Sequence, residues 1–307
     1  MPTQAVSEIL PRRIRGENPE LASILDRFGD LLDEIVNLGT HIFSWCNNAV
    51  KGRTDEVAPL ILSLRHALEL LDAVSILIRQ SSVEPCKVLL RAFLEVLLGV
   101  TYMLQADTDR RALSFMAWYI HHRYKVLEKL DKDLPQGSDF AKRIGLDLPD
   151  GHDLLGGRQA LLSVLNKPLY KEVEAEYQRL RAAGKKNPSW HSFFGGPATI
   201  EQVAAQTGFT NFYEVCYRQW SGMVHGTDLF GGHVTVGPTG VELIGLRNPA
   251  EAQQLMSLAL GMTLKLFKLY VDTYVPDRAE EYGRWYQREI QALYERITSD
   301  PPIIVVE

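Results

Sequence analysis

Residues 86–104, CKVLLRAFLEVLLGVTYML, decide the fold. Their apolar side chains do not alternate as a strand would require. They occupy nearly every side of a 3.6-residue turn, as in the central helix of a bundle. Arg91 and Glu95 interrupt the stretch one turn apart, so it falls short of a clean membrane span. Pro85 stands just ahead of it, where its ring suits the first helical turn.

Helical patterns extend in both directions. Before it, residues 18–47 carry Leu21, Ile24, Leu25, Phe28, Leu31, Leu32, Ile35 and Leu38 at three-to-four spacing. A second helix starts at Thr54, with Asp55 and Glu56 at its positive end, and runs to about Gln80. After it comes a helix over 108–130. Residues 131–168 then accumulate Asp, Gly and Pro, as in Leu134-Pro135-Gln136-Gly137, and read as an insertion or elaborated loop with room for short helices only. A helix over 169–183 leads into a loop holding Lys185, Lys186, Trp190, His191, Phe193 and Phe194.

Thr199 with Gln202 has capping-box spacing, and Gly208 ends that helix. Asn211 with Glu214 is expected to open the next, and Gly226 to close it. A Gly237-Pro238-Thr239-Gly240 turn joins two short strands, 233–236 and 241–244. A long helix follows from Asn248-Pro249 to before Pro276, then a last one opened by Asp277 and Glu280. Residues 298–307 read as an extended tail. The expected architecture is a single mainly-α domain over 1–307, a helical bundle with extra helices and one small β-hairpin.

Composition narrows the function. At 307 residues, 46 % hydrophobic and 23 % charged, the chain can bury a sizeable core. A net charge of −5 supplies no global field for nucleic acid or membrane, so any RNA contact must come from a local patch. Cys46, Cys86 and Cys216 are too scattered for a zinc site or a disulfide framework. With no apolar leader over 1–15, a soluble protein of the reducing cytoplasm, with no membrane association, is expected. Gly-x-Gly-x-x-Gly, P-loop, His-Glu-x-x-His and Gly-x-Ser-x-Gly motifs are absent, as are paired Glu-x-x-His ligands. Neither a metal nor a cofactor is expected.

The concentrated site signal lies in FYEVCYRQWSGMVH, residues 212–225. At ~100° per residue a separation of seven returns to nearly the same face, so Glu214, Arg218, Ser221 and His225 share a stripe, flanked by Tyr217. His225 sits in the last turn, where the negative end of the helix favours an imidazolium. A guanidinium offers a planar fork to phosphate oxygens, and an imidazole can take a proton from a ribose 2′-hydroxyl or give one to the leaving oxygen. The plainer alternative is an Arg218–Glu214 pair at i, i+4 and a buried histidine at a helix end. Both readings stand on the sequence alone.

An arginine followed by a histidine at this spacing, late in a helical chain, resembles the Arg-x(4–6)-His motif of the HEPN superfamily. The wider pattern is Leu89-Leu90-Arg91-Ala92-Phe93-Leu94-Glu95, then Trp190-His191, then Tyr217-x(3)-Ser221-x(3)-His225-Gly226. It is similar to an uncharacterised bacterial family related to that superfamily, and it spans about half the chain, residues 61–225. Gln219 occupies the place where HEPN nucleases often carry a small polar residue. The resemblance implies an up-and-down helical core and a metal-independent endoribonuclease, with Arg218 and His225 as the catalytic pair. It also implies a homodimer, a small antitoxin partner and a toxin–antitoxin or phage-defence setting. The alternative is a non-catalytic helical module that binds a nucleotide, RNA or a protein.

Glu214, Tyr217, Ser221, Arg91 and Glu95 are the expected supporting residues. Arg91–Glu95 and Arg65–Glu69 recur on consecutive helices, either orienting the site or satisfying each other as an interhelical ion network. Adjacent His121 and His122 point ~100° apart and are expected at the surface. Arg179, Arg181, Lys185 and Lys186 with Trp190 and His191 form the one basic, aromatic-laced patch. Trp190, His191, Lys185 and Lys186 are its expected RNA-binding residues.

Overall fold

The computed structural model describes residues 18–52, 55–144, 153–227, 233–237 and 240–299. The chain is mainly α. In order come α1 (Pro19–Ala49), α2 (Ala58–Arg79), α3 (Glu84–Gln105), α4 (Thr108–Leu130), α5 (Pro135–Ile144), α6 (Leu154–Leu165), α7 (Lys171–Ala182) and α8 (Ile200–Thr207). One rod follows, made of α9 (Thr210–Phe212), a π-helical turn Tyr213–Arg218 and α10 (Gln219–Val224). The hairpin β1 (Val234–Gly237) and β2 (Gly240–Leu243) precedes α11 (Ala252–Tyr274), α12 (Ala279–Trp285), a second π-helical turn Tyr286–Gln291 and α13 (Ala292–Thr298). Within the hairpin, Val234 pairs with Leu243 and Val236 with Val241, antiparallel.

The chain divides into two compact units. One comprises Met1–Gly52, Ile61–Thr101 and Ala204–Glu307; the other comprises Arg53–Leu60 and Tyr102–Val203. The first is built on α1 and α11. Leu25, Leu31, Leu32, Ile35, Leu38 and Ile42 on α1 are fully buried, as are Leu266, Phe267 and Tyr270 on α11. Close approach explains Gly39, because a Cβ there would overlap the ring of Phe267 and a methyl of Leu68. Gly29 likewise leaves room for Arg79, whose guanidinium crosses α1 to Asp26, Asp30 and Asp33.

The second unit wraps α5, α6 and α7 around α4, with Leu113, Ala117, Ile120, Leu165, Tyr170 and Val173 as its core. The expected insertion therefore contributes helices to a core of its own, stapled by a nearly buried Arg158–Asp131 pair at 2.6 Å. Residues 145–152 lie outside the described residues, as do Thr54, the Pro238-Thr239 turn and most of the tail. Among the described residues α3 alone is long and apolar enough to cross a membrane, and half of that window is buried inside the protein.

Local signals decided most boundaries. Asn18 Oδ1 accepts the Leu21 N–H at 3.0 Å and opens α1. The Thr199 hydroxyl accepts the Gln202 N–H at 3.3 Å. Gly208 and Gly226, at φ +79° and +63°, close their helices as glycines in left-handed conformation do. The Asn211 cap does not form. The rod opens one residue earlier, at Thr210, with Phe209 packed against Phe212 at 5.9 Å and no side-chain cap. A Phe–Phe contact fixed this start, not a hydrogen-bonding side chain.

Candidate functional site

The π-turn organises the site. A π-turn is rare and inserts an i→i+5 step into a helix. Here Tyr213 and Tyr217 stack at 5.0 Å, with their planes 17° apart. Tyr217 turns inward, and its ring carries the Arg91 guanidinium at 4.1 Å. Arg91 arrives from α3, 130 residues earlier, and donates from Nε to Ser221 Oγ at 3.1 Å. Its Nη1 lies 3.2 Å from Glu95 Oε1, one turn along. Ser221 in turn donates to the Tyr217 carbonyl oxygen at 2.6 Å. One cation therefore clamps the rod through a ring face and a hydroxyl, and only 13 % of its side chain meets solvent. Burial, and next the Glu95 carboxylate, push the Tyr217 phenol up to about 12, so it stays protonated at neutral pH.

The expected polar stripe splits. Ser221 and Tyr217 face Arg91, while Glu214, Arg218 and His225 face water. The Arg218 side chain is 57 % exposed, and its Nε lies 3.4 Å from Glu214 Oε2. Such an exposed pair is a weak tether, on the order of 0.3–0.5 kcal/mol. His225 forms the C-cap, where its N–H reaches the Ser221 carbonyl at 3.1 Å. Its ring is exposed, contrary to the buried end-cap alternative. Arg218 and His225 thus stand two α-turns apart on the outer side of a rod held from beneath.

The partner expected for Arg91–Glu95 is not Arg65–Glu69. That pair closes on itself at 3.1 Å on the solvent side of α2, and among the described residues no interhelical ion pair joins the two.

The other expected binding residues lie in the second unit. Trp190 is turned inward, edge-on to Tyr102 at 5.7 Å and to Phe115 at 5.4 Å. His191 Nδ1–H donates to the Pro197 carbonyl at 2.6 Å, and burial holds its pKa below the ordinary histidine value. Both are half-buried and packed against these neighbours. Lys185 and Lys186 are exposed as expected. His121, expected at the surface, is instead stacked on Tyr177 at 3.8 Å and bonded to Glu174 at 2.7 Å. Spacing along α4 could not reveal that α7 would cover it. Among the described residues no three His, Cys, Asp or Glu side chains converge as a metal ion would require.

Residues 57–235 match a family described as of unknown function (DUF5677). The 61–225 pattern noted in the sequence falls inside that span. No curated protein and no solved structure matches the chain.

Proposed function

The chain belongs to the DUF5677 family, and from its own residues we propose that it is a metal-independent endoribonuclease of the HEPN kind, with Arg218 and His225 as its catalytic pair. One observation carries the reading: a guanidinium and an imidazole, both exposed, project from the outer side of a rod that Arg91 clamps from within. Seven residues of helix separate their Cα atoms by ~10 Å along the axis, and the proposed reaction requires the two side chains to meet over one phosphodiester.

In the proposed reaction His225 takes the proton of a ribose 2′-hydroxyl. The 2′-oxygen attacks phosphorus, and the 5′-oxygen leaves and takes a proton from water. Arg218 neutralises charge that grows on the phosphate oxygens in the transition state. The products are a 2′,3′-cyclic phosphate and a 5′-hydroxyl. Tyr217 and Ser221 position the rod through Arg91 and Glu95. The reading needs no cofactor. It brings with it a homodimer, a small antitoxin partner and a cytoplasmic defence role as expectations of the resemblance.

The experiment is RNA cleavage by the purified full chain in EDTA. Cyclic-phosphate ends are expected, with activity reduced ~10²–10⁴-fold in Arg218→Ala and in His225→Ala. Full activity in either variant removes its proposed role. A second reading, a non-catalytic RNA- or nucleotide-binding module, is favoured by Glu214, which occupies Arg218 in the resting chain. Binding without turnover that survives Glu214→Gln would select it.

A further inference from the structure

The second unit carries a cluster of positive charge that its own carboxylates do not neutralise. Lys125, on α4, places its Nζ 2.9 Å from Asn187 Oδ1 and 3.5 Å from the Lys186 carbonyl oxygen. Arg181, near the end of α7, donates from Nη1 to that same carbonyl. Two cations thus converge on one neutral acceptor. Lys185 and Lys186 stand beside them in the exposed turn that Gly184 opens at φ +88°. None of the four forms an ion pair among the described residues.

Carboxylates stand near this corner too. Glu128 acts on Lys125 at longer range. Glu176 is felt by Lys185, but its oxygens are committed to Arg179 at 2.6 and 2.8 Å and to the Phe194 N–H at 2.8 Å. Burial, and then the neighbouring Arg181, hold the Lys125 ammonium below its ordinary value. In a chain of net charge −5, such unrelieved crowding of like charges marks a place that an anion would relieve.

A ring platform stands next to it. His122 is exposed and lies nearly parallel to Trp118 but displaced from it, with centroids 5.9 Å and planes 19° apart. Residues 118, 122 and 125 follow at i, i+4 and i+7, so the outer face of the His122 ring and the Lys125 ammonium share one side of α4. Cations spaced along a backbone path beside a flat ring are what single-stranded nucleic acid requires.

We propose that Lys125, Arg181, Lys185 and Lys186 bind the phosphate backbone of single-stranded RNA, with a base stacked on His122. It adds His122 to the platform of Trp190 and His191 expected from sequence, and it rests on the reading that RNA is the ligand. Cleavage itself is assigned to Arg218 and His225 in the other unit.

The test uses the full chain and a fluorescently labelled 12-nucleotide RNA, 2′-O-methylated so that it cannot be cleaved, with anisotropy read at several salt concentrations. Lys185→Glu with Lys186→Glu alters exposed side chains only. It is expected to weaken binding more than tenfold and to flatten the salt dependence by ~1.4 log units per decade, about 0.7 for each phosphate no longer neutralised. Lys125→Gln with Arg181→Gln should weaken binding likewise, and His122→Ala about fivefold or more. Wild-type chain that fails to bind, or a charge-reversed variant that binds as wild type does, overturns the proposal. Failure of the nuclease reading shows separately. If the wild-type chain leaves unmodified RNA intact yet the patch variants still lose affinity, cleavage falls and the binding surface stands.

Discussion

Arg65–Glu69 and Arg91–Glu95 have the same residues at the same spacing on consecutive helices, and their fates differ. The first pair stands in water, its arginine 66 % exposed. In the second, α3 delivers the arginine to the face of Tyr217 and the hydroxyl of Ser221. Spacing sets which side chains can meet on one helix. Whether the pair is a solvated ornament or a clamp depends on what arrives 130 residues later in the chain.

The sharpest way to break the comparison is Arg91→Ala. It leaves Ser221 without its donor and Tyr217 without the cation on its ring, and should cost about 2–4 kcal/mol in urea unfolding, with RNA cleavage falling in parallel. If Arg91→Ala proves as mild as Arg65→Ala, Arg91 is no clamp. Ser221→Ala removes one half-buried hydrogen bond and should cost ~1 kcal/mol, with the rod still held by the ring contact.

A pH series sharpens the same point. The folded-state pKa of Tyr217 lies above the unfolded value, so its contribution is whole below pH 10 and falls away as pH rises toward 12. The fall in urea midpoint over that range should be shallower in Tyr217→Phe than in the wild-type chain. The smallest effect is expected at the other pair. A double-mutant cycle on Arg65 and Glu69 should give a coupling of ~0.3–0.5 kcal/mol that fades with salt.

Much of the helical order was legible because its signals are local. The helix α4 begins and ends where pattern and punctuation place it, and Gly226 stops the rod just after His225. The hairpin follows from two glycines framing a short turn. What stayed hidden depends on contacts between distant segments. No residue type announces a π-turn. Nothing in 118–125 tells that α7 will cover His121 while leaving His122 to water. Trp190 and His191 look like a recognition loop by composition, yet Tyr102 and Phe115 draw the indole inward. The basic corner needed Lys125 and Arg181 from two helices, and the contact of Arg91 with Ser221 shows which side of the rod is anchored.

The turn Tyr213–Arg218 works as a vernier. Upstream the rod starts with Phe212 packed on its own cap residue Phe209; downstream Tyr217 and Ser221 meet Arg91. An unbroken α-ladder would fix the angle between the rod's start and the residues that meet Arg91 by residue count alone, in steps of ~100°. One wider step supplies a fractional correction that whole residues cannot. Shortening the rod by Val215, which points largely into solvent, would take that correction away. Arg218 and His225 would keep their alignment with each other while losing it with everything upstream.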